Sequence, residues 1–284
     1  QLGGERLASR NSHRWIGVMP VMADSIKASQ ADYYDHKVED PEFEINRPHG
    51  ESRLYRYLMD FKFDRVVKLL GQSLPGSNVL VICCGSGMDA EYLARRGARV
   101  VAMDISSGCL ARARVRAGRY GVDYILVRGD AENLPFRDSS FDYVFVHDGL
   151  HHLPEPERAI REMARIARGG ILITEPADAT LTKVLIRSRV MKPYEQAGNY
   201  VIRFDAQRLE PLCRDLGFDR IASSRYLVKY GHPPGGWWRR LDPSPLFELS
   251  RAAFWLLGVA LFGRWGNKMA FVAERSQPRV QVVA

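Results

Sequence analysis

The chain has 284 residues, with 41 Lys and Arg against 33 Asp and Glu and a formal net charge of +8. That length suits one large domain or two small ones, and 46% hydrophobic with 26% charged residues suits a chain that buries a substantial core. A disordered tail, a collagen-like repeat and a small disulfide scaffold are excluded. The four cysteines, Cys83, Cys84, Cys109 and Cys213, contain no C-x-x-C pair. Reduced thiols in a cytoplasmic protein are expected, in place of a zinc site or a disulfide framework.

The first 20 residues hold no continuous apolar stretch, so no signal peptide is expected. Residues 1–50 are irregular, with Pro20, Pro41 and Pro48 as breakers and short helix near Met22–Tyr34. Leu54–Leu70 returns apolar residues every three or four positions, the period of an amphipathic helix, and Gly71, Pro75 and Gly76 end it. Strands then alternate with helices: strand at Val79–Cys83, helix at Asp89–Arg96, strand at Arg99–Met103, helix at Gly108–Ala117, strands at Asp123–Val127 and Phe141–Val146, helix at Pro156–Ile166 and strand at Ile171–Thr174. This spacing predicts an α/β fold, a parallel sheet covered on both faces. Further on, helices are expected over Ala179–Val190 and Asp205–Leu216, a strand within Ile221–Tyr230, an apolar helix over Leu249–Leu261 and a closing strand at Lys268–Ala273. The longest apolar run, Ala252–Phe262, has eleven residues, short of the about 20 that a spanning helix needs.

The strongest site signal lies in residues 79–104, VLVICCGSGMDAEYLARRGARVVAMD. A buried strand runs into Gly85-Ser86-Gly87 and a helix opens directly after it. Glycine lets the backbone turn tightly and approach a ligand, and the free N–H groups of the helix start offer donors. Asp104 ends the next strand, 19 residues beyond Gly85, where a carboxylate can accept both hydroxyls of a ribose. With Ala90 the stretch also satisfies the G-x-G-x-x-G/A pattern of dinucleotide binding. Downstream, GDAENLPF (129–136) sets Asp130 at the end of the third strand, within reach of an adenine amino group, with Leu134 and Phe136 available to cover the ring. FDYVFVHDGLHHL (141–153) ends the fourth strand in a cluster of histidines.

On these motifs, residues 79–176 resemble the class I S-adenosylmethionine-dependent methyltransferases, in particular their small-molecule branch. The resemblance implies a Rossmann-like, seven-stranded, mostly parallel sheet with helices on both faces and an antiparallel last strand. It also implies S-adenosylmethionine as cofactor, held by Cys83, Gly85, Gly87, Asp104, Ile105, Asp130, Ala131, Glu132 and His147. Cys83-Cys84 depart from the small or acidic residues common before the turn, which puts contact to the methionine ammonium in doubt; Asp89 is a candidate replacement. A dinucleotide oxidoreductase would leave GDAENLPF without a role.

Methyl transfer asks the protein to align the acceptor and exclude water, and a hydroxyl or carbon acid also needs a base. His151 and His147 are the candidate bases, with Asp148 as orienter; the H-x-x-x-H spacing can set both rings on one side of a helical turn. A structural role, or a cover over the cofactor, is the alternative reading of the same residues. No standard zinc spacing is present, so no metal is expected. Glu175 directly follows the fifth strand, as an acceptor-side carboxylate. Tyr33, Tyr34, His49, Arg53, Tyr57, Tyr194, Tyr200 and Arg203 are candidates for a lid and an acceptor pocket.

Residues 1–70 read as a helical lid with a lead-in helix, and 71–284 as the catalytic core with acceptor-side insertions at 177–204 and 230–265. Trp237-Trp238-Arg239-Arg240 and the apolar run after them admit three readings: a core helix, a homodimer contact, or a helix on a membrane surface. Arginines 112, 114, 116 and 119 read as a solvated helix, and no nucleic-acid-binding module accompanies the core. A small molecule, a glycan or a lipid intermediate is the expected acceptor. The alternatives are a noncatalytic cofactor-fold protein that binds a partner, and a nucleic-acid methyltransferase.

Overall fold

The computed structural model describes residues 20–71, 73–189, 194, 200–228 and 233–278. Its strands are β1 (Asn78–Ile82), β2 (Arg99–Asp104), β3 (Ile125–Arg128), β4 (Phe141–His147), β5 (Ala167–Pro176), β6 (Arg220–Tyr226) and β7 (Lys268–Glu274). They form one seven-stranded sheet in the order β3-β2-β1-β4-β5-β7-β6. The first five pair in parallel, while β7 runs antiparallel to both β5 and β6. This is the expected Rossmann-like arrangement, down to the antiparallel last strand.

Central strands are apolar on both faces because both are covered. Val79 and Val81 of β1 join Phe145 and Leu172 under α3 (Arg53–Val67), whose Tyr55, Leu58, Met59 and Phe63 are buried. Leu80 and Ile82 point the other way, with Val144 and Val146, toward α6 (Pro156–Ile166) and its Ile160 and Met163. Alternation along the strand thus feeds two cores from one segment. Polar caps mark where helices begin: Ser52 Oγ accepts the Tyr55 N–H, and Ser106 Oγ accepts that of Cys109 at the start of α5 (Ser107–Tyr120).

Around this frame lie α1 (Pro20–His36), α2 (Pro41–Asn46), α4 (Met88–Ala94), α7 (Thr180–Arg187), α8 (Ala206–Asp215) and α9 (Ser244–Phe254). Proline at the first turn of α2, with Asp40 capping Phe43 N–H, starts a helix that the sequence reading took for irregular chain. The helix expected over Leu54–Leu70 ends at Val67. The helix expected from Leu249 begins at Ser244 and continues beyond α9 as a wider π-type turn, Trp255–Leu261. It is no core helix, for Leu249, Trp255 and Leu256 are each at least half exposed.

Sheet order decides where a ligand can sit. The chain leaves β1 toward β2 and β3 on one side, then returns to β4 and β5 on the other. The carboxyl ends of β1 and β4 therefore diverge and open a crevice.

Candidate functional site

Three backbone positions within five residues take positive φ after β1: Cys83 (51°), Gly85 (51°) and Gly87 (81°). Their roles differ. A Cβ added to Gly85 would meet nothing within 4 Å, so this is the open, ligand-facing side of the turn. A Cβ on Gly87 would lie 2.6 Å from the Tyr124 hydroxyl, so glycine here is required by helix packing and by its left-handed conformation. Cys83, a residue type that seldom takes positive φ, packs against the loop after β4, where a Cβ on Gly149 would lie 2.5 Å from the Cys83 Cβ. Burial pushes the thiols of Cys83 and Cys84 well above the usual range, and all four cysteines are free.

Asp104 closes the turn. Its Oδ2 accepts the Gly85 N–H at 2.9 Å and its Oδ1 the Ser106 N–H at 2.9 Å. Burial raises its carboxyl above the ordinary value, against the pull of those donors. Each oxygen retains a further lone pair for a ribose hydroxyl. Ile105 follows directly, at the junction of β2 and α5. Asp89 is buried on α4, where its Oδ1 accepts the Ala90 N–H and burial lifts its carboxyl to about 7.

At the end of β3, Asp130 Oδ1 accepts the Glu132 N–H, and Lys27 of α1 reaches across to both acids, 2.7 Å from Asp130 Oδ2 and 2.5 Å from Glu132 Oε2. Ala131 is buried. Leu134 packs into the core with Phe136 against it, directly after the acids at the end of β3. Asp35, near the other end of α1, accepts the Gly108 N–H at 2.8 Å and the hydroxyls of Ser106 and Ser107. Two polar clamps, one an ion-pair set and the other a set of hydrogen bonds, thus hold α1 along the edge where Asp104 and Asp130 lie. Asp35→Ala is expected to cost about 1–2 kcal/mol and to speed proteolytic cleavage within α1, measured by limited digestion with and without cofactor; cleavage at the wild-type rate refutes the clamp.

The histidine cluster is more ordered than its spacing implied. His147 ends β4, Asp148 takes φ 49°, and Leu150–His152 form one 3₁₀ turn, so the H-x-x-x-H pair does not share a helical face. The His147 ring stands edge-on to Phe63, centroids 4.8 Å apart; burial, aided by the Lys62 ammonium, pushes it down to about 3. Such a ring is a poor proton acceptor. Asp148 Oδ2 lies 3.2 Å from His147 Nε2, but Lys268 and Lys62 bind Asp148 more closely, at 2.5 and 2.9 Å, and, overriding burial, hold its carboxyl well below the usual range.

His151 is placed differently. Its Nδ1 lies 2.6 Å from Oε2 of the fully buried Glu175, whose Oε1 accepts the N–H groups of Gly149 and Leu150 at 2.8 and 2.7 Å. In the tautomer that donates from Nδ1 to Glu175, the lone pair falls on Nε2. Glu175 therefore orients the histidine, a role that spacing could not reveal across 24 residues. The ligand atoms of Asp148, His151 and Glu175 lie within 4.8 Å of one another, yet two ammonium groups on Asp148 compete with any cation there.

The predicted lid set disperses. Tyr34 reaches the cluster, its ring edge-on to His152 at 5.9 Å. His49 instead pairs with Glu91, Arg53 with Asp242, and Tyr57 packs on Phe247 and Phe254; Tyr194 and Tyr200 bridge each other, both exposed. The arginines of α5 are a solvated face only in part: Arg114 and Arg119 are exposed, and Arg112 and Arg116 are not. Arg116 is fully buried against Glu91 and the carbonyls of Ser86, Glu44 and Arg47, Arg112 binds the Tyr34 carbonyl, and Arg119 pairs with Glu42. They bind the N-terminal helices to the core.

Comparison with known proteins agrees with this geometry. Residues 80–174 match a family described as methyltransferase domain. The chain is 39% identical over 121 residues to a demethylmenaquinone methyltransferase of Renibacterium salmoninarum, covering 43% of this chain and 46% of that protein. It is 33% identical over 141 residues to a ubiquinone biosynthesis O-methyltransferase of Alkalilimnicola ehrlichii, covering 48% and 57%. The matched region thus spans about half the length of these relatives. Among solved structures, the magnesium protoporphyrin IX methyltransferase of Synechocystis with bound S-adenosylhomocysteine superposes with a TM-score of 0.61 at 20% identity, covering 88% of this chain and all of that one. This last likeness is one of fold.

Proposed function

We propose that this chain, whose residues 80–174 carry a methyltransferase domain, transfers a methyl group from S-adenosylmethionine to a small-molecule or lipid-intermediate acceptor. The carrying observation is the convergence at one sheet edge of an open glycine turn, a buried acid bonded to it and an oriented histidine. When bound, the cofactor supplies an electrophilic methyl on a sulfonium. Gly85 leaves room for it, Asp104 accepts from the ribose and Asp130 from the adenine amino group. Cys83, Ile105, Ala131, Glu132 and His147 line the remainder, and α1 is the lid.

His151 takes a proton on Nε2, and Glu175 holds the ring and favours the imidazolium that results. A base in this position suits an acceptor that must lose a proton, a hydroxyl or a carbon acid. The demethylmenaquinone and ubiquinone biosynthesis methyltransferases among the relatives support a small-molecule or lipid-intermediate acceptor. The protein is placed by this reading in the cytoplasm, peripheral to a membrane. Nucleic acid is disfavoured as acceptor because Arg112 and Arg116 are engaged inside the fold and Arg119 pairs with Glu42 at the surface. Residues 1–70 act as lid and lead-in, and 71–284 as core.

Isothermal titration with S-adenosylmethionine tests the cofactor assignment. Saturable binding is expected, weakened about 10- to 100-fold in Asp104→Ala through the loss of charged hydrogen bonds. An unchanged affinity in that variant, or no binding by the unaltered protein, overturns it.

A further inference from the structure

The helix α9 and the turn after it are apolar on two faces. Phe247 and Phe254 face inward and pack on Tyr57 and Phe61 of α3. On the outward face Leu249 (67%), Trp255 (55%) and Leu261 (52%) are exposed, and Trp237 (59%) stands on the preceding 3₁₀ turn. A globular surface seldom leaves so many large apolar side chains uncovered together. Ser244–Leu261 is a continuous 18-residue helix, long and apolar enough by length and composition to cross a membrane, with 6% of it buried. Its packing ties it to the domain instead. Leu227 N–H donates to the Gly258 carbonyl at 2.8 Å, and a Cβ on Gly258 would lie 2.5 Å from the Leu227 carbonyl oxygen. A helix pressed this closely on the chain beyond β6 lies along a surface and does not leave it to span.

Charge identifies the surface. Arg239, Arg240 and Arg264 flank the apolar face, are exposed, and form no ion pair with a carboxylate among the described residues; Arg239 Nη2 donates to the Gly50 carbonyl at 2.6 Å. Arg264 lies 3.9 Å over the ring of Trp265, next to the last exposed apolar residues. Aromatic rings beside cations at the rim of an apolar face match the boundary between acyl chains and headgroups. A second copy fits less well, because a twofold contact through this face would bring arginines without carboxylate partners together, whereas interface cores are depleted of charge.

We propose that the outward face of α9 and its following turn, with the adjacent Trp237 and arginines, docks the protein on an anionic lipid bilayer, apolar side chains in the acyl boundary and guanidinium groups on headgroup phosphates. This rests on the peripheral placement proposed above and is independent of methyl transfer. It has a geometric consequence: α3, which carries α9 on one side, presents Lys62 and Phe63 to Asp148 and His147 on the other. The docked face is therefore one helix away from the strand ends of the site, as an acceptor with a membrane-embedded tail requires.

The test is co-flotation of the full chain with phosphatidylcholine vesicles and with vesicles that also contain phosphatidylglycerol. Binding is expected to the anionic vesicles, to weaken with salt, and to fall about tenfold or more in Leu249→Asp/Leu256→Asp and in Arg239→Gln/Arg240→Gln/Arg264→Gln. S-adenosylmethionine affinity, measured on the same samples, is expected to stay unchanged; it certifies the fold of each variant and separates failure of docking from failure of the methyltransferase reading. No binding to anionic vesicles overturns the proposal, as does wild-type binding by both variants. A stable dimer in light scattering that the Leu249→Asp/Leu256→Asp variant dissociates assigns the face to a second copy and overturns it equally.

Discussion

Glu91→Gln is expected to destabilise the fold by about 3–5 kcal/mol, a drop of roughly 10 °C in melting temperature, because it strands a buried guanidinium. Glu91 receives His49 Nε2 at 2.8 Å, Arg95 Nε at 2.7 Å and Arg116 Nη1 at 3.0 Å, and Arg116 is inaccessible to solvent. Burial alone would raise the Glu91 carboxyl; His49, Arg95 and Arg116 outweigh it and hold it at about 2. A depressed folded-state value means stability that is fully present above the unfolded value, near 4.5, and lost as pH falls toward 2. The gap between the unaltered protein and Glu91→Gln should therefore close over that range in thermal scans. The double variant Glu91→Leu/Arg116→Leu is expected to recover part of the loss, since apolar replacement of both partners removes the stranded charge. A gap that persists at pH 2, or a Glu91→Gln variant as stable as the original at pH 7, refutes the account.

The second large effect concerns catalysis. With an acceptor identified by release of S-adenosylhomocysteine, His151→Gln is expected to lower kcat about 10²- to 10⁴-fold while cofactor affinity persists. Glu175→Gln separates orientation from proton transfer. Its amide oxygen can still accept the Gly149 and Leu150 N–H groups, so the loop should stand, but the charge beside His151 is gone. Losing a nearby negative charge lowers a histidine pKa, so the acidic limb of the pH–rate profile should move to lower pH as kcat falls. Full activity in His151→Gln would sink the base assignment. A fall in Glu175→Gln with no movement of the limb would reduce Glu175 to a loop support.

Much of the fold was legible because its determinants are local. Continuous apolar runs of strand length, separated by helical periods and glycine turns, can satisfy their backbones in few ways, and a parallel sheet is the one consistent with that order. The glycine turn and Asp104 were legible for the same reason: a strand, a turn and a helix start are neighbours in sequence as well as in space. Short segments were harder. Neither α2 nor the turn that divides His147 from His151 carries enough residues to display a period.

The amino-acid sequence by itself determined the alternation of strands and helices, the glycine turn with the acids at the strand ends, and the cofactor class they suit. Tertiary structure alone decided which polar groups meet. Lys27 reaches Asp130 across 103 residues, Lys268 reaches Asp148 across 120, and Glu175 rather than Asp148 orients His151. It also turned Arg116 from an expected surface charge into a buried one, and left one apolar face of α9 uncovered. The physical reason is common to all of these. Periodicity reports which faces of an element are apolar or charged, but burial and pairing depend on what the rest of the chain brings against them.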